Sequence, residues 1–411
     1  MKWNIDLGNH IKKELPIDGR KSISILLGAG FSVPKGYPTG VKVNDSLLNF
    51  DQFPISFGIS GEMMISTGPN QIQDDWPEND YQKQFKFCKR LISLYAQEHG
   101  EFDYEAFYDF IKSKDVFLPK YKELGEVFVK TESEYSHYVS GIDSIYNQMV
   151  SYLIHDTEGE SWYDEEPSKI GYVDGYDSFL KILKNWSGNY IINVHTLNHD
   201  LVFESFRKTE YLSGLISDGF DEYGSRYYGI VKRGNANFHV RLERYKGRYT
   251  TPIRLYKLHG SLDYVLYKRT EDNCVLVPDN YVKIRKYISP GYLMRGRGSK
   301  IGYEQYPFAV HADFLTGTNY KIHRYGEPLL YKKLFKRFKT NLRKAEMLII
   351  IGYGCKDSKI NEMVYENFDF KRSPIYIFDP KPSDALKAFA SQTKAKVMVK
   401  SVTEIEQSDL K

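Results

Sequence analysis

At roughly 150 residues per domain, a chain of 411 residues holds two or three structural units, and 41% apolar with 27% charged residues excludes a disordered polymer. No apolar run approaches the ~20 residues that cross a bilayer, and Met1–Gly19 lacks a signal-peptide core, so the expectation is a cytoplasmic protein with no membrane partner. Three cysteines (Cys88, Cys274, Cys355), none in a C-x-x-C pair, argue against a disulfide framework and a cysteine zinc site.

Charge is strongly segregated. Glu98–Asp177 carries 19 acidic and 6 basic residues, Arg226–Lys300 carries 17 basic and 5 acidic, and Lys321–Lys344 carries nine basic residues against Glu327. Such a pattern suits a nucleic-acid surface, a pocket for a phosphorylated ligand or complementary faces in an oligomer, and equally well plain solvated faces. The 34 tyrosines and 24 phenylalanines suggest aromatic-lined surfaces between elements or subunits.

In chain order, Ser22–Gly28 is an apolar, β-branched run too short for a helix, and reads as a buried strand. It ends in Gly28-Ala29-Gly30-Phe31-Ser32, where two glycines would let backbone approach a pyrophosphate and a following helix would present free N–H groups. A third glycine would complete the dehydrogenase pattern; Val33 stands there, which argues against hydride transfer, and a tight strand-to-helix turn explains the segment as well. Phe53–Pro77, broken by Gly and Pro, reads as a surface loop, and Phe85–Ala96, Phe102–Lys112 and Tyr135–Leu153 have helical periodicity.

A second strand, Tyr190–Val194, runs into His195-Thr196-Leu197-Asn198-His199-Asp200. There Asn198 offers a donor and an acceptor to a ribose hydroxyl or a water; alternatively Asn198 and Asp200 merely shape a turn and cap a helix over Leu201–Phe206. Leu255–Leu258 is a weaker strand leading to Lys257-Leu258-His259-Gly260-Ser261-Leu262, where the glycine leaves one side of the His259 imidazole open for general-base work. A structural histidine is the competing reading. Leu262–Pro278 alternates about a turn at Glu271-Asp272-Asn273, a β-ribbon, and Pro290–Ser299 is a basic glycine-rich loop. Leu330, Leu334, Phe335, Phe338 and Leu342 form the apolar face of a basic helix.

The strand Met347–Gly352 ends in a second glycine turn, Gly352-Tyr353-Gly354, and Asp357 or Ser358 would cap a helix over Ile360–Phe368. Ile375–Phe378 precedes Asp379, an acceptor for ribose hydroxyls or an ordinary Asp-Pro turn residue, and Val397–Val399 is a last strand. Long connections between near-continuous apolar strands predict an α/β fold: a doubly wound, Rossmann-like parallel sheet with an inserted helical module and a smaller β-ribbon and loop insertion. The divisions expected are 1–50, 181–265 and 346–411 for the core, 51–180 for the helical insertion, and 266–345 for the ribbon, basic loop and basic helix.

GAGFS, T-x-N-x-D, K-L-H-G-S-L and I-I-G-Y-G, in that order and each on a strand end, resemble the sirtuin superfamily. The pattern is most similar to the sirtuin-like NAD-hydrolysing domains of bacterial antiviral defence systems. The resemblance implies that Gly28, Ala29, Gly30, Phe31, Ser32 and Thr196 hold NAD, with Gly352, Tyr353, Gly354 and Asp379 on the adenosine side. It implies that Asn198 places a water or ribose hydroxyl, Asp200 supports it, and His259 is the catalytic histidine. Deacetylating sirtuins carry a four-cysteine zinc module that this chain lacks, so the expectation is NAD+ hydrolysis without a metal. A non-catalytic NAD or ADP-ribose sensor and a zinc-free deacylase are the alternatives. Relatives of this type act as homo-oligomers, some beside a hexameric HerA-like ATPase, so both are expected partners; direct nucleic-acid binding is possible but not favoured.

Overall fold

The computed structural model describes residues 19–50, 55–57, 63–65, 79–129, 131–154, 175–225, 227–233, 236–269, 281–283, 294–295, 303–305 and 329–410. Seven strands form one parallel sheet: β1 (Lys21–Leu27), β2 (Tyr190–Thr196), β3 (Ile216–Ser217), β4 (Ile253–Lys257), β5 (Ala345–Ile351), β6 (Ile375–Phe378) and β7 (Lys396–Met398), in the order β7-β6-β5-β1-β2-β4-β3. The chain starts at the centre, builds one wing through β2, β4 and β3, then returns to build the other. The reversal falls between β1 and β5.

The apolar runs are continuous because both faces of each strand are covered. Alternate residues enter opposite cores. Leu26, Leu348, Ile350, Ile375 and Ile377 face one core, whereas Ile23, Ile25, Leu27, Ile349, Ile351 and Phe378 face the other. The first core is closed by α7 (Leu329–Lys344), α8 (Ser358–Asn367) and α9 (Asp384–Thr393), the second by α6 (Asp177–Ser187). Helix α7 turns Leu330, Leu334, Phe335, Phe338 and Leu342 inward and leaves Lys332, Lys333, Lys336, Arg343 and Lys344 exposed, as its periodicity predicts.

The stretch between β1 and β2 holds α1 (Gly40–Leu48), α2 (Asp80–His99), α3 (Tyr104–Lys112), α4 (Pro119–Gly125) and α5 (Glu132–Ile154), which share a separate core. Asn79 and Asp103 cap α2 and α3 by accepting from Gln82 N at 2.9 Å and Ala106 N at 2.8 Å. Within the expected surface loop Phe53–Pro77, Ile55–Phe57 and Met63–Ile65 pair antiparallel, and Ile55 and Phe57 are buried in this helical core. Local Gly and Pro content does not reveal strands of three residues.

Of the expected ribbon Leu262–Pro278, only the first half lies among the described residues, and it is a strand. Tyr264–Arg269 pairs with Tyr281–Lys283 and Tyr303–Gln305 within a five-stranded antiparallel sheet, while the turn at 271–273 lies outside the described residues. Of the basic loop, Met294–Arg295 pairs with Tyr227 and Tyr228; its other residues lie outside the described ones. Much of the aromatic excess lies between elements, the first of the two expected placements. Tyr146, Tyr176, Tyr245, Tyr256, Tyr281 and Tyr331 are fully buried, and Phe31 alone contacts four rings.

Candidate active site

The parallel register aligns the strand ends. Leu27 stands opposite Thr196 and Ile351, Lys257 opposite Thr196, and Phe378 opposite Ile351. The residues one step beyond are therefore Gly28, Leu197, Leu258, Gly352 and Asp379. Four bonds extend the ladder past these ends: Gly28 N to Ile351 O (3.0 Å), Leu197 N to Leu27 O (3.0 Å), Leu258 N to Thr196 O (2.9 Å) and Gly352 N to Phe378 O (2.9 Å). Every motif singled out in the sequence thus lies at the carboxyl edge of one sheet, where open α/β sheets bind ligands.

At the β1/β5 reversal the two glycine turns interlock. Gly30 N donates to Gly352 O at 2.9 Å, and a Cβ on Gly28 or Gly30 would lie 2.6 Å from Gly352 O or 2.7 Å from Gly352 Cα. Gly352 has φ +62°, and its own added Cβ would run into the Gly30 and Phe31 backbone. Gly352→Ala is therefore expected to destabilise the protein by about 2–4 kcal/mol, from left-handed strain plus a backbone clash. Gly36 has φ +86° with open space around it, so Gly36→Ala should cost only about 1 kcal/mol. Denaturant unfolding of the two variants separates the steric part from the conformational one.

No α-helix opens at the first turn. Ala29–Phe31 and Val33–Lys35 are single 3₁₀ turns, with Phe31 N bonded to Gly28 O and Ser32 N to Ala29 O. Within Gly28–Ser32, the backbone N–H groups of Gly28, Gly30, Phe31 and Ser32 all bond within the protein, so of the expected array this turn keeps only that of Ala29. The Phe31 ring is buried among Tyr176, Phe179, Phe203 and Phe206, so only its backbone can face a ligand.

Asn198 reaches across to this turn. Its Nδ2 donates to Gly28 O (2.9 Å) and Ser32 Oγ (3.0 Å), and its backbone N–H donates to Thr196 Oγ1 (3.0 Å). Because Gly28 O can only accept, the amide orientation is fixed. Both side-chain donors are committed to the protein, which leaves Oδ1 as the side-chain group able to accept from a ligand or water. Asp200 is buried and accepts from Val202 N at 3.0 Å, bracing the turn before the one-turn helix Val202–Ser205. The helix expected over Leu201–Phe206 is thus one turn, followed by the 3₁₀ turn Phe206–Lys208.

His259 is buried, and its ring centroid lies 6.3 Å from that of His199. Leu262 N closes the same loop onto His199 O at 3.0 Å, so the segments carrying Asn198 and His259 are adjacent. Ser261 Oγ is buried with no hydrogen-bond partner among the described residues. Leu262 packs in the helical core, which makes the inserted module a neighbour of the crevice. His195 faces away: it stacks on Tyr256 at 4.8 Å, and burial pushes its imidazole down to about 3.

On the far wing, the Tyr353 hydroxyl lies 3.0 Å from Asp357 O and 2.9 Å from Asn361 Oδ1. Gly354 O accepts from Ser383 Oγ at 2.9 Å, and Asp379 Oδ1 accepts from Lys381 N at 2.8 Å. Burial, with Asp379 adding to it, pushes the Cys355 thiol up to about 12, which removes it as a nucleophile at neutral pH.

Sequence reasoning missed a buried ionic network behind the crevice. Lys257 Nζ, fully enclosed, bonds His199 O (3.2 Å) and Asp200 O and pairs with Glu204 Oε1 (3.2 Å). Arg207 and Lys283 meet Asp218, and Lys283 also lies 3.6 Å from Asp263. Burial would raise the Asp218 carboxyl, but Lys283 and Arg207 overcome it and hold it below the usual range. A lysine inside the apolar strand Ile253–Lys257 was the available signal, since a buried ammonium requires partners.

This sheet, with ligand-side groups gathered at its reversal, defines a Rossmann-like α/β domain. Residues 194–399, just over half of the chain, match the family model of the SIR2-like domain, and the chain belongs to that family. It is a sirtuin-type, NAD-related protein. The Gly28–Ser32 turn and the helical module precede the matched span. No curated protein matches the chain. Among the described residues, no helix is long and apolar enough to cross a membrane and no group of His, Cys, Asp or Glu could hold a metal ion.

Proposed function

We propose that the protein is an NAD+ glycohydrolase: water attacks the ribose carbon, the nicotinamide bond breaks, and nicotinamide, ADP-ribose and a proton result. The observation that carries this reading is the adjacency of Asn198 and His259 beyond neighbouring strand ends, beside the interlocked glycine turns. Asn198 Oδ1 accepts a hydrogen from the attacking water and orients it, while His259 takes the second proton as the bond to ribose forms. The departing nicotinamide leaves an oxocarbenium-like centre, so ordering one water and excluding others is the main task of the crevice. Gly28–Ser32 and Thr196 hold the phosphate and ribose portion. The wing of Gly352, Tyr353, Gly354 and Asp379 takes the adenosine, and Asp200 keeps the Asn198 loop in place.

The same reading makes the protein a cytoplasmic effector of a bacterial anti-phage system, assembled as a homo-oligomer and restrained or triggered by a HerA-like ATPase. Incubation of purified protein with NAD+ is expected to release free nicotinamide and ADP-ribose in equal amounts. NAD+ binding without nicotinamide release would replace this reading with a sensor. Nicotinamide release only with an acyl-lysine peptide would replace it with a deacylase.

A further inference from the structure

His259 is approached from the opposite wing of the sheet. Strands β5 and β4 are separated by β1 and β2, about 14 Å at the usual strand spacing. Yet the segment Gly352–Asp357 that leaves β5 brings Asp357 Oδ2 to 3.7 Å from His259 Nε2. The reach depends on bent backbone: Gly352 has φ 62° and Cys355, a non-glycine residue, φ 56°. Strain of this kind persists where the surroundings enforce it. Here Asn361 Nδ2 holds Cys355 O at 2.8 Å and the Tyr353 hydroxyl sits 3.0 Å from Asp357 O.

The Asp357 carboxylate is fixed before any ligand arrives. Oδ1 accepts from Lys359 N (3.0 Å) and Ile360 N (3.1 Å) as the N-cap of α8, which leaves Oδ2 turned toward the imidazole. At 3.7 Å the contact exceeds a hydrogen bond, and such distances commonly shorten when a site is filled. Facing the same ring is His199, whose carbonyl accepts from Lys257 Nζ at 3.2 Å, with Glu204 paired to that lysine; Asp263, four residues beyond His259, pairs with Lys283.

We propose that Asp357 is a positioning residue for His259, holding the imidazole in the tautomer with its proton on Nε2 so that Nδ1 is the proton acceptor. This assignment rests on the hydrolase reading for its purpose but not for its detection. The sequence signal for Asp357 is only that of a helix cap; the sheet order converts the cap into a bridge between the two wings.

Asp357→Asn keeps a good cap and removes the charge, and Asp357→Ser does so with a different cap. In protein with ¹⁵N-labelled histidine, the His259 resonance is assigned by its loss in His259→Gln. Its titration midpoint is expected to fall by about one pH unit in either variant, with loss of the single-tautomer nitrogen shifts. In the NAD+ assay the acid limb of kcat should move down by the same amount. The plateau should drop about tenfold with KM changed by less than about twofold. Unchanged midpoint and tautomer in a folded variant overturn the proposal, as does failure of both capped variants to fold. If the wild-type protein releases no nicotinamide but the midpoint still moves, the pairing stands and the hydrolase reading alone falls.

Discussion

His259→Ala is expected to reduce nicotinamide release by about 10²–10⁴-fold, the range that a positioned general base supplies. The fold should survive. The buried core around His259 is supplied by Leu258 and Leu262, its neighbour Asp357 remains bonded to Lys359 N and Ile360 N, and the loop is still held by Leu262 N on His199 O. A melting curve alongside the rate measurement checks this. Retained turnover in a folded variant would remove His259 from the chemistry. Asn198→Ala is a less clean probe, because it also strips the donors from Gly28 O and Ser32 Oγ and loosens the glycine turn. Its loss of turnover should therefore come with weaker NAD+ binding, measurable by calorimetry.

The largest effect on stability is expected from Lys257→Met, about 3–5 kcal/mol, because it removes the ammonium paired with the buried Glu204 and leaves only the more distant Lys283 and Arg207 charges against it. Burial already holds that carboxyl above its ordinary range, with Lys257 pulling against it. Lys257→Met also leaves the carbonyls of His199 and Asp200 without their ammonium donor. Pairing it with Glu204→Leu should recover most of the stability, since replacing both members of a buried pair by apolar groups is often close to neutral. Activity should stay low in the double variant, as the loop carrying Asn198 is still unbraced. Equal instability of the single and double variants in denaturant would show that the pair is not the source.

The central strands were legible because each is covered on two faces, which forces the continuous runs Ser22–Gly28 and Met347–Gly352. The edge strand Ile216–Ser217, of two residues, has no such pattern. The small antiparallel sheets pair segments such as Tyr264–Leu266 and Tyr281–Lys283 that lie apart in the sequence, and local composition does not specify which segment finds which. Within the site, the motif order placed Asn198, His259 and the glycine turns on strand ends. What those groups bond depends on tertiary neighbours: Gly30 meeting Gly352, the Asn198 donors meeting Gly28 and Ser32, Asp357 arriving beside His259. Lys257 stood in plain sight within a quoted motif. Its importance follows only from burial, which a single residue letter does not state.

The register Ser22↔Ala345 has a consequence for synthesis. The middle strand of the sheet leaves the ribosome first, yet one of its two flanking partners is encoded more than 300 residues later. At about 5–20 residues per second, this exposed β-branched ribbon waits roughly 15–60 s for its neighbour. During that interval it is a natural client for chaperones. The crevice likewise has no second wall until the Gly352 turn has been translated.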